Sequence, residues 1–381
     1  MCIFKGDQLG VIAIFCDGTW NSPTISIPTH VYQLYQACDQ SPDHKALYFE
    51  GVGASSKVTG FWRKLLHKMG GGAFGWGLNA NIKEAYQALC QNYQPGDKIM
   101  IFGFSRGAYT ARSLAGMIRK CGILDTPSRR MVNQAFRLYR TAGKQNAPDQ
   151  DHVWAARRKL SPNFATSAYD VQKRGDGSHL VRVGYLGIWD TVGALGIPEP
   201  LFGPLAALWN GRYRFHDTQL SGMVEAARHA VAIDERRVFF VPSLWDNLDP
   251  GPGGPGLNRG DHSPNRPYQQ MWFVGDHSIV GGSAEARGLT AFSLAWVLEG
   301  AQRLGLRVET PDRLGDLVGD AGIIAPEIDD PSVVYRIAGS LLQWRSGPAQ
   351  DRDMHPSARD RVTRDPRYRP ESLRKILGDL F

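Results

Sequence analysis

The stretch Ile99-Met100-Ile101-Phe102-Gly103-Phe104-Ser105-Arg106-Gly107-Ala108 constrains the fold of this chain more than any other. Ile99 to Phe102 form an unbroken apolar run and read as a strand buried on both faces. Further on, Ala108, Ala111, Leu114, Ala115 and Ile118 recur at spacings of three and four, the period of a helix. Between the two lies a serine with a glycine two positions away on each side. A turn this tight has no room for side chains at its flanks, so Gly103 and Gly107 let the backbones approach closely. It also brings the unpaired N–H groups that open the helix beside the serine. The plainer reading makes Ser105 the N-cap of an ordinary strand–helix turn.

Strand, Gly-x-Ser-x-Gly and helix in succession is the form of a nucleophile elbow, the signature turn of the α/β-hydrolases. A serine nucleophile needs a base to take its proton and an acid to hold that base in its working tautomer. In the α/β-hydrolase order the acid follows the serine and the histidine comes last. Val181–Ile188 reads as a strand ending in Trp189-Asp190, and Gln270–Val274 as a strand ending in Gly275-Asp276-His277. Asp190 and His277 therefore fit both the order and the strand-end position. Asp217 and Asp234 are the rival acids. His216 on a polar connection, His229 in a predicted helix with Val224, Ala227, Ala230 and Val231, and His262 in a Gly/Pro loop are poorer bases by placement.

An oxyanion hole would take the N–H of Arg106 and one from Gly18 or Thr19, in the polar turn after the strand Gly10–Phe15. Asp17-Gly18-Thr19 also looks like the start of a haloacid-dehalogenase phosphatase. That chemistry needs an aspartate where Phe15 stands. An Asx-turn with no chemistry is the third reading of this loop.

The composition is that of a globular chain with a substantial core, 42% hydrophobic and 21% charged over 381 residues. Its net charge of +7 favours anionic surfaces, but no zinc-finger, helix-turn-helix or Arg/Gly-rich pattern points to nucleic acid. The five cysteines are scattered and never in Cys-x-x-Cys spacing, so no disulfide framework is expected, and Cys16 and Cys90 read as small buried hydrophobes. The glycine run 70–77 lacks the Gly-Lys-Ser/Thr of a phosphate loop. Neither a metal nor an organic cofactor is called for. Without a signal-peptide core or a membrane-length apolar run, the expected place of synthesis is the cytoplasm.

Residues 1–308 read as one catalytic domain with lid-like insertions at about 126–180 and 195–220, and 309–381 as an extension packed on it. The polar, Arg-rich stretch 126–180 carries helical pieces at Met131–Thr141 and His152–Leu160, and its charges read as a solvated face. A helix ending at Asp234-Glu235-Arg236-Arg237, an expected ion-pair cluster, leads into a predicted strand Val238–Val241. Phe61–Trp76, Pro198–Tyr213 and the loop around 251–260 read as an apolar rim over the serine, or else as packed core. The first mixes Trp62, Leu65 and Leu66 with Arg63, Lys64 and Lys68, a composition suited to acyl chains below anionic headgroups.

Five segments in order carry a wider resemblance: Phe-Cys-Asp-Gly-Thr-Trp-Asn (15–21), Gly-Phe-Ser-Arg-Gly-Ala-Tyr-Thr-Ala-Arg (103–112), Trp-Asp-Thr-Val-Gly (189–193), Arg-His-Ala-Val-Ala-Ile-Asp-Glu-Arg-Arg (228–237) and Trp-Phe-Val-Gly-Asp-His-Ser (272–278). Over residues 11 to about 305 the chain resembles the bacterial and fungal hydrolases that include the first class of type VI secretion phospholipase effectors. The resemblance implies an α/β-hydrolase fold, a mostly parallel sheet with helices on both faces. It also implies a Ser-Asp-His triad that maps onto Ser105, Asp190 and His277. The substrate would be an ester, most naturally an acyl lipid, with peripheral contact to an anionic membrane. An effector would also have a secretion or immunity partner and leave the cell by a specialised secretion system. Against the family pattern Gly-Val-His-Ser-Asp-Val-Gly-Gly, this chain has Asp276 for the valine and Ile279 for the aspartate. Nor is the large C-terminal membrane-associated module that similar effectors often carry expected from these residues. A soluble carboxylesterase, or a hydrolase fold kept as a non-catalytic interaction module, are the alternatives.

Overall fold

Runs of apolar residues with no polar alternation need cover on both faces, and the sheet supplies it. The computed structural model describes residues 10–18, 27–51, 74–193, 219–285, 287–308 and 342–381. Strands β1 (Val11–Cys16), β2 (His44–Phe49) and β3 (Lys98–Phe104) come first. A short ribbon follows, β4 (Phe164–Ala165) with β5 (His179–Leu180), and then β6 (Val183–Trp189), β7 (Val224–Ala232) and β8 (Tyr268–Phe273). The six long strands form one sheet in the order β2-β1-β3-β6-β7-β8, every pair parallel. The order reverses between β1 and β3, and the crevice beyond their carboxyl ends is where an open α/β sheet takes its ligands.

Alternate residues of the strands feed two separate cores. Ile12, Ile14, Ile99, Ile101, Leu186 and Ile188 meet α2 (Phe74–Asn92) and α3 (Arg106–Cys121) on one face. Ala13, Phe15, Met100, Phe102, Tyr185 and Trp189 meet α1 (His30–Ala37) and α8 (Arg287–Gln302) on the other. Phe15 and Phe102 stack across the β1–β3 pair with ring centroids 4.9 Å apart. This is the α/β-hydrolase architecture expected, a parallel sheet with helices on both faces. Cys16 and Cys90 lie in the first core as small apolar side chains.

Two expectations about local structure are overturned. Val224–Ala232 is strand β7, not a helix, and Val238–Phe240 is a single 3-10 turn, not a strand. A short apolar run cannot by itself distinguish a doubly buried strand from a buried helix. β7 pairs with β6 and β8 along its two edges, and its side chains feed apolar clusters on both faces, Val224 and Ala227 in one and Ala230 and Ala232 in the other.

The Arg-rich insertion is also not simply a solvated face. Its helices are α4 (Arg129–Tyr139), α5 (Asp151–Leu160) and α6 (Ala168–Arg174), and the last two close over a buried carboxylate, Asp170. Asp170 accepts from Arg157 Nε at 3.0 Å, Arg174 Nε at 2.8 Å, Trp154 Nε1 at 2.9 Å and the Thr166 N–H at 2.9 Å. Exposed Arg129 and Arg130 do face water. Removing only the anion of such a cluster strands its cations away from solvent. Asp170→Ala is therefore expected to cost about 3–5 kcal/mol, measured as a fall in the urea midpoint. A loss below about 1 kcal/mol would mean that water reaches the two guanidinium groups.

Residues 342–381 supply a third core. Met354, Ala358 and Val362 around α9 (Pro356–Arg364), with Tyr368, Leu373 and Leu377, pack on Val231, Ile233, Trp272 and Val274 at the β7–β8 end of the sheet.

Candidate active site

The turn after β3 has the backbone that its two glycines foreshadow. Ser105 sits at φ 58° and ψ −121°, a strained conformation for a residue with a side chain, at the position just before α3. A Cβ on Gly103 would meet the Gly107 carbonyl oxygen at 2.5 Å, and one on Gly107 would meet the Cys16 carbonyl oxygen at 2.1 Å. Both positions exclude any larger residue. The second contact matters most for the site, because it presses the start of α3 onto the carboxyl end of β1. The Ser105 N–H donates to the Trp189 carbonyl at 3.0 Å, tying the elbow to the end of β6.

Asp190 follows β6 with φ 37°, an unusual value that short polar residues tolerate best. It has no exposed surface, and its N–H donates to the Ala230 carbonyl at 2.7 Å. His277 opens the short helix α7 (His277–Val280), its ring between those of Phe104 and Phe240 with centroids 4.7 Å from each. Three side chains that stand far apart in sequence then meet. His277 Nδ1 is 2.5 Å from Asp190 Oδ2, and His277 Nε2 is 2.8 Å from Ser105 Oγ. An ionised carboxylate only accepts, so the proton belongs on Nδ1, and Nε2 is left to accept from the Ser105 hydroxyl.

The charge state of Asp190 follows from its neighbours. Burial alone would raise its carboxyl, but the Arg345 guanidinium and the His277 hydrogen bond outweigh burial and hold it well below the usual carboxylate range. Arg345 donates Nη1 to Oδ1 at 2.7 Å and Nη2 to Oδ2 at 3.0 Å, and the Ala232 N–H adds a bond to Oδ1 at 2.9 Å. No motif marks Arg345 in the sequence. It follows Leu341-Leu342-Gln343-Trp344, and the only local signal is an arginine after a tryptophan in a basic tail.

The remaining histidines and acids fall into place around this chain. His229 lies on β7, not on a helix, with no exposed surface. Its Nε2 accepts from the Thr191 N–H at 3.2 Å, and Nδ1 is 3.0 Å from Gln270 Oε1. Burial, then the charge of Arg112, pushes its imidazole down to about 3, so it stays neutral. His262 is half-exposed in its loop, and His216 and Asp217 lie outside the described residues. The loop 251–260 is not a rim over the serine. Asn258 binds the backbone of Tyr268, the first residue of β8, so the loop lies at the amino end of the sheet. The segments Phe61–Trp76 and Pro198–Tyr213 lie outside the described residues, apart from the backbone of 74–76.

For the oxyanion hole, Arg106 is the first residue of α3, at the positive end of its dipole. Gly18 is described, but its N–H donates to Asp17 Oδ1 at 2.6 Å. Asp17 Oδ2 in turn accepts from Thr29 Oγ1 at 2.8 Å and the Tyr48 hydroxyl at 2.7 Å. Thr19 lies outside the described residues. A cavity of about 660 Å³ opens elsewhere, between α3 and the insertion, lined by Arg112, Arg119, Lys120, Tyr139 and Trp245 and by none of Ser105, Asp190 or His277.

Residues 11–300 match the family model described as T6SS, phospholipase effector Tle1-like, catalytic domain. The chain belongs to the Tle1-like family. An uncharacterized protein of Saccharomyces cerevisiae is 30% identical over 279 residues, covering 66% of this chain and 38% of the yeast protein. An uncharacterized protein from Pseudomonas aeruginosa aligns in structure with 82% of this chain and 48% of its own, at 15% identity and TM-score 0.40. A Tle1 effector bound to the VgrG spike of the type VI secretion system aligns over 74% and 53%, at 18% identity and TM-score 0.35. The chain thus spans about two fifths of its yeast relative and about half of each of these two solved chains.

Both departures from the Tle1-like pattern have local reasons. Asp276 is the N-cap of α7, its Oδ1 accepting from the Ser278 and Ile279 N–H groups at 2.9 Å each, so it fixes the turn that carries His277. Ile279 is buried in the third core beside Trp272 and Val274. The Asp234–Arg237 segment is not one ion-pair cluster. Glu235 pairs with Arg237 and accepts the His277 N–H at 3.3 Å, whereas Arg236 lies over Trp344. Asp234 accepts from the Gly275 N–H at 2.7 Å and from the Tyr368 hydroxyl at 2.9 Å.

Burial pushes the Asp234 carboxyl up to about 6, against the Gly275 and Tyr368 hydrogen bonds. An unfolded aspartate releases its proton at about pH 4. Between about pH 4 and about pH 6 the folded chain therefore binds the extra proton, and stability falls as pH rises. Asp234→Asn is expected to remove that slope. Denaturant midpoints of both proteins across the interval check it, and parallel curves would mean that folded Asp234 is already ionised.

Proposed function

We propose that this chain is a serine hydrolase that cleaves carboxylic ester bonds of acyl lipids, with Ser105 as nucleophile, His277 as general base and Asp190 as the acid that orients it. The observation that carries the reading is the hydrogen-bonded run from Ser105 Oγ through His277 to a buried, ionised Asp190. Ser105 attacks the ester carbonyl while His277 Nε2 takes its proton. The imidazolium, stabilised through Nδ1, then protonates the leaving alcohol. Water repeats the exchange on the acyl-enzyme and releases the acid. The Arg106 N–H opens the oxyanion hole, and the loop after β1 supplies its second donor. If Gly18 is that donor, its bond to Asp17 has to yield when substrate binds. If Thr19 is, that bond stays.

The lipid part of the reading rests on family membership and on the apolar and basic composition of 61–76. The Tle1 effector that aligns in structure is bound to a VgrG spike, and a secretion or immunity partner for this chain is part of the same proposal.

Ser105→Ala is expected to lower turnover of a short-chain ester by about 10⁴- to 10⁶-fold with the fold intact. A fluorophosphonate should label the native chain once, at Ser105, as read by peptide mass spectrometry. Wild-type turnover in the variant would dismiss Ser105 as nucleophile. For the substrate, vesicles containing phosphatidylglycerol should be hydrolysed faster than phosphatidylcholine vesicles at low salt, with released fatty acid as the measure. Good turnover of soluble esters with every vesicle untouched would leave an esterase and end the phospholipase reading.

A further inference from the structure

We infer that Arg345 is a positioning residue for the site, a fourth member that fixes Asp190 and, through it, the His277 ring; the inference rests on the hydrolase reading above. Arg345 lies beyond residues 11–300, the part of the chain that the family model covers. Its delivery is built into the fold. The Gln343 N–H donates to the Arg236 carbonyl at 2.7 Å, Leu342 bridges to Arg237, and Trp344 takes the Arg236 guanidinium against its ring. The next residue is thereby placed behind Asp190.

The guanidinium is almost fully buried, and both terminal nitrogens are used, while Nε has no hydrogen-bond partner among the described residues. Nη1 binds Asp190 Oδ1 and the Ala232 carbonyl at 3.0 Å, and Nη2 binds Asp190 Oδ2 and the Phe240 carbonyl. Both carboxylate oxygens are gripped by a planar fork that is itself pinned to two carbonyls, so the carboxylate cannot rotate. Oδ2 is also the atom that holds His277 Nδ1. Fixing one oxygen plane therefore fixes the imidazole and the approach of Nε2 to Ser105. A lysine in the same place supplies charge but cannot bridge two oxygens and two carbonyls.

The second consequence is electrostatic. A buried aspartate with no cation beside it pulls a proton onto its histidine, since the imidazolium then becomes its only counter-charge. With Arg345 present, the Asp190 carboxylate has its counter-charge in the guanidinium. The other charges around the ring sort into local arrangements. Glu235 at the His277 N–H is paired with Arg237, Asp276 caps α7, neutral His229 lies behind Thr191, and Arg112 contacts the Ser243 carbonyl. Arg345 is the cation in direct contact with Asp190 among the described residues.

The test uses the full chain and its Arg345→Met and Arg345→Lys variants. Turnover of p-nitrophenyl butyrate is followed against pH, with competent sites counted by fluorophosphonate titration. Arg345→Met is expected to lower kcat per titrated site by about 100-fold and to move the acid limb of kcat/KM up by about one pH unit or more. Arg345→Lys should keep the acid limb near its original position and still lose rate, because charge is kept and the fork is lost. Where the ester turns over too slowly, the pH dependence of fluorophosphonate labelling at Ser105 gives the same comparison. Should Arg345→Met fail to fold, Arg345→Lys decides: reduced kcat per site supports the inference, and unchanged kcat per site overturns it. A folded Arg345→Met protein with wild-type kcat per site and an unmoved acid limb also overturns it. So does a loss wholly explained by fewer titrated sites. Labelling at a residue other than Ser105 would instead overturn the hydrolase reading, and this inference with it.

Discussion

An ionised carboxylate shut away from water is tolerated only when donors take up its lone pairs and a cation answers its charge, and Asp190 imposes that condition on much of the molecule. The donors come from well-separated parts of the chain. Ala232 ends β7, His277 opens α7, and Arg345 belongs to the C-terminal segment. Each donor has to be brought in by packing of its own. β7 is sealed between β6 and β8, α7 is capped by Asp276, and the C-terminal segment is anchored by the apolar cluster around Trp272, Ala358 and Val362. The cores on and beside the sheet are what make a buried anion tolerable, and that anion is what gives the far end of the chain a place at the site.

The elbow is the opposite kind of constraint, one of space. Gly103 and Gly107 leave no room for a Cβ, and Ser105 is kept in a strained backbone by helix α3 on one side and β1 on the other. The strain is local, but the packing that maintains it spans the reversal in strand order between β1 and β3. Ser105 is therefore presented at the ligand crevice of the sheet by rigid elements, with the start of α3 behind it. Its partner His277 is immobilised by Phe104 and Phe240 on its flanks and by hydrogen bonds at both ring nitrogens.

Much of this architecture is legible from residue order. The apolar runs at 11–16, 99–102 and 183–189 read as strands with both faces covered, and the paired glycines around Ser105 require a tight turn. Asp190 and His277 are readable because each follows such a strand in the order a serine hydrolase uses. Residue order misleads where the local pattern is degenerate. The residues of β7 carry a spacing that suits either a buried strand or a buried helix, and only its neighbours β6 and β8 decide the matter. The arginines of the insertion resemble a solvated surface because nothing in their spacing records that Asp170 lies among them.

The sequence by itself determined the elbow, the parallel sheet and the order of Ser105, Asp190 and His277, because each depends on a few neighbouring residues and on steric rules that act over short range. Tertiary structure alone decided which groups surround them. Arg345 meets Asp190 across 155 positions of chain, the loop 251–260 lies at the opposite end of the sheet from Ser105, and the Gly18 N–H turns back onto Asp17. None of these leaves a periodic trace. A side chain's partner depends on how distant segments pack, and a guanidinium that reaches a buried carboxylate has the same one-letter signature as one that reaches water.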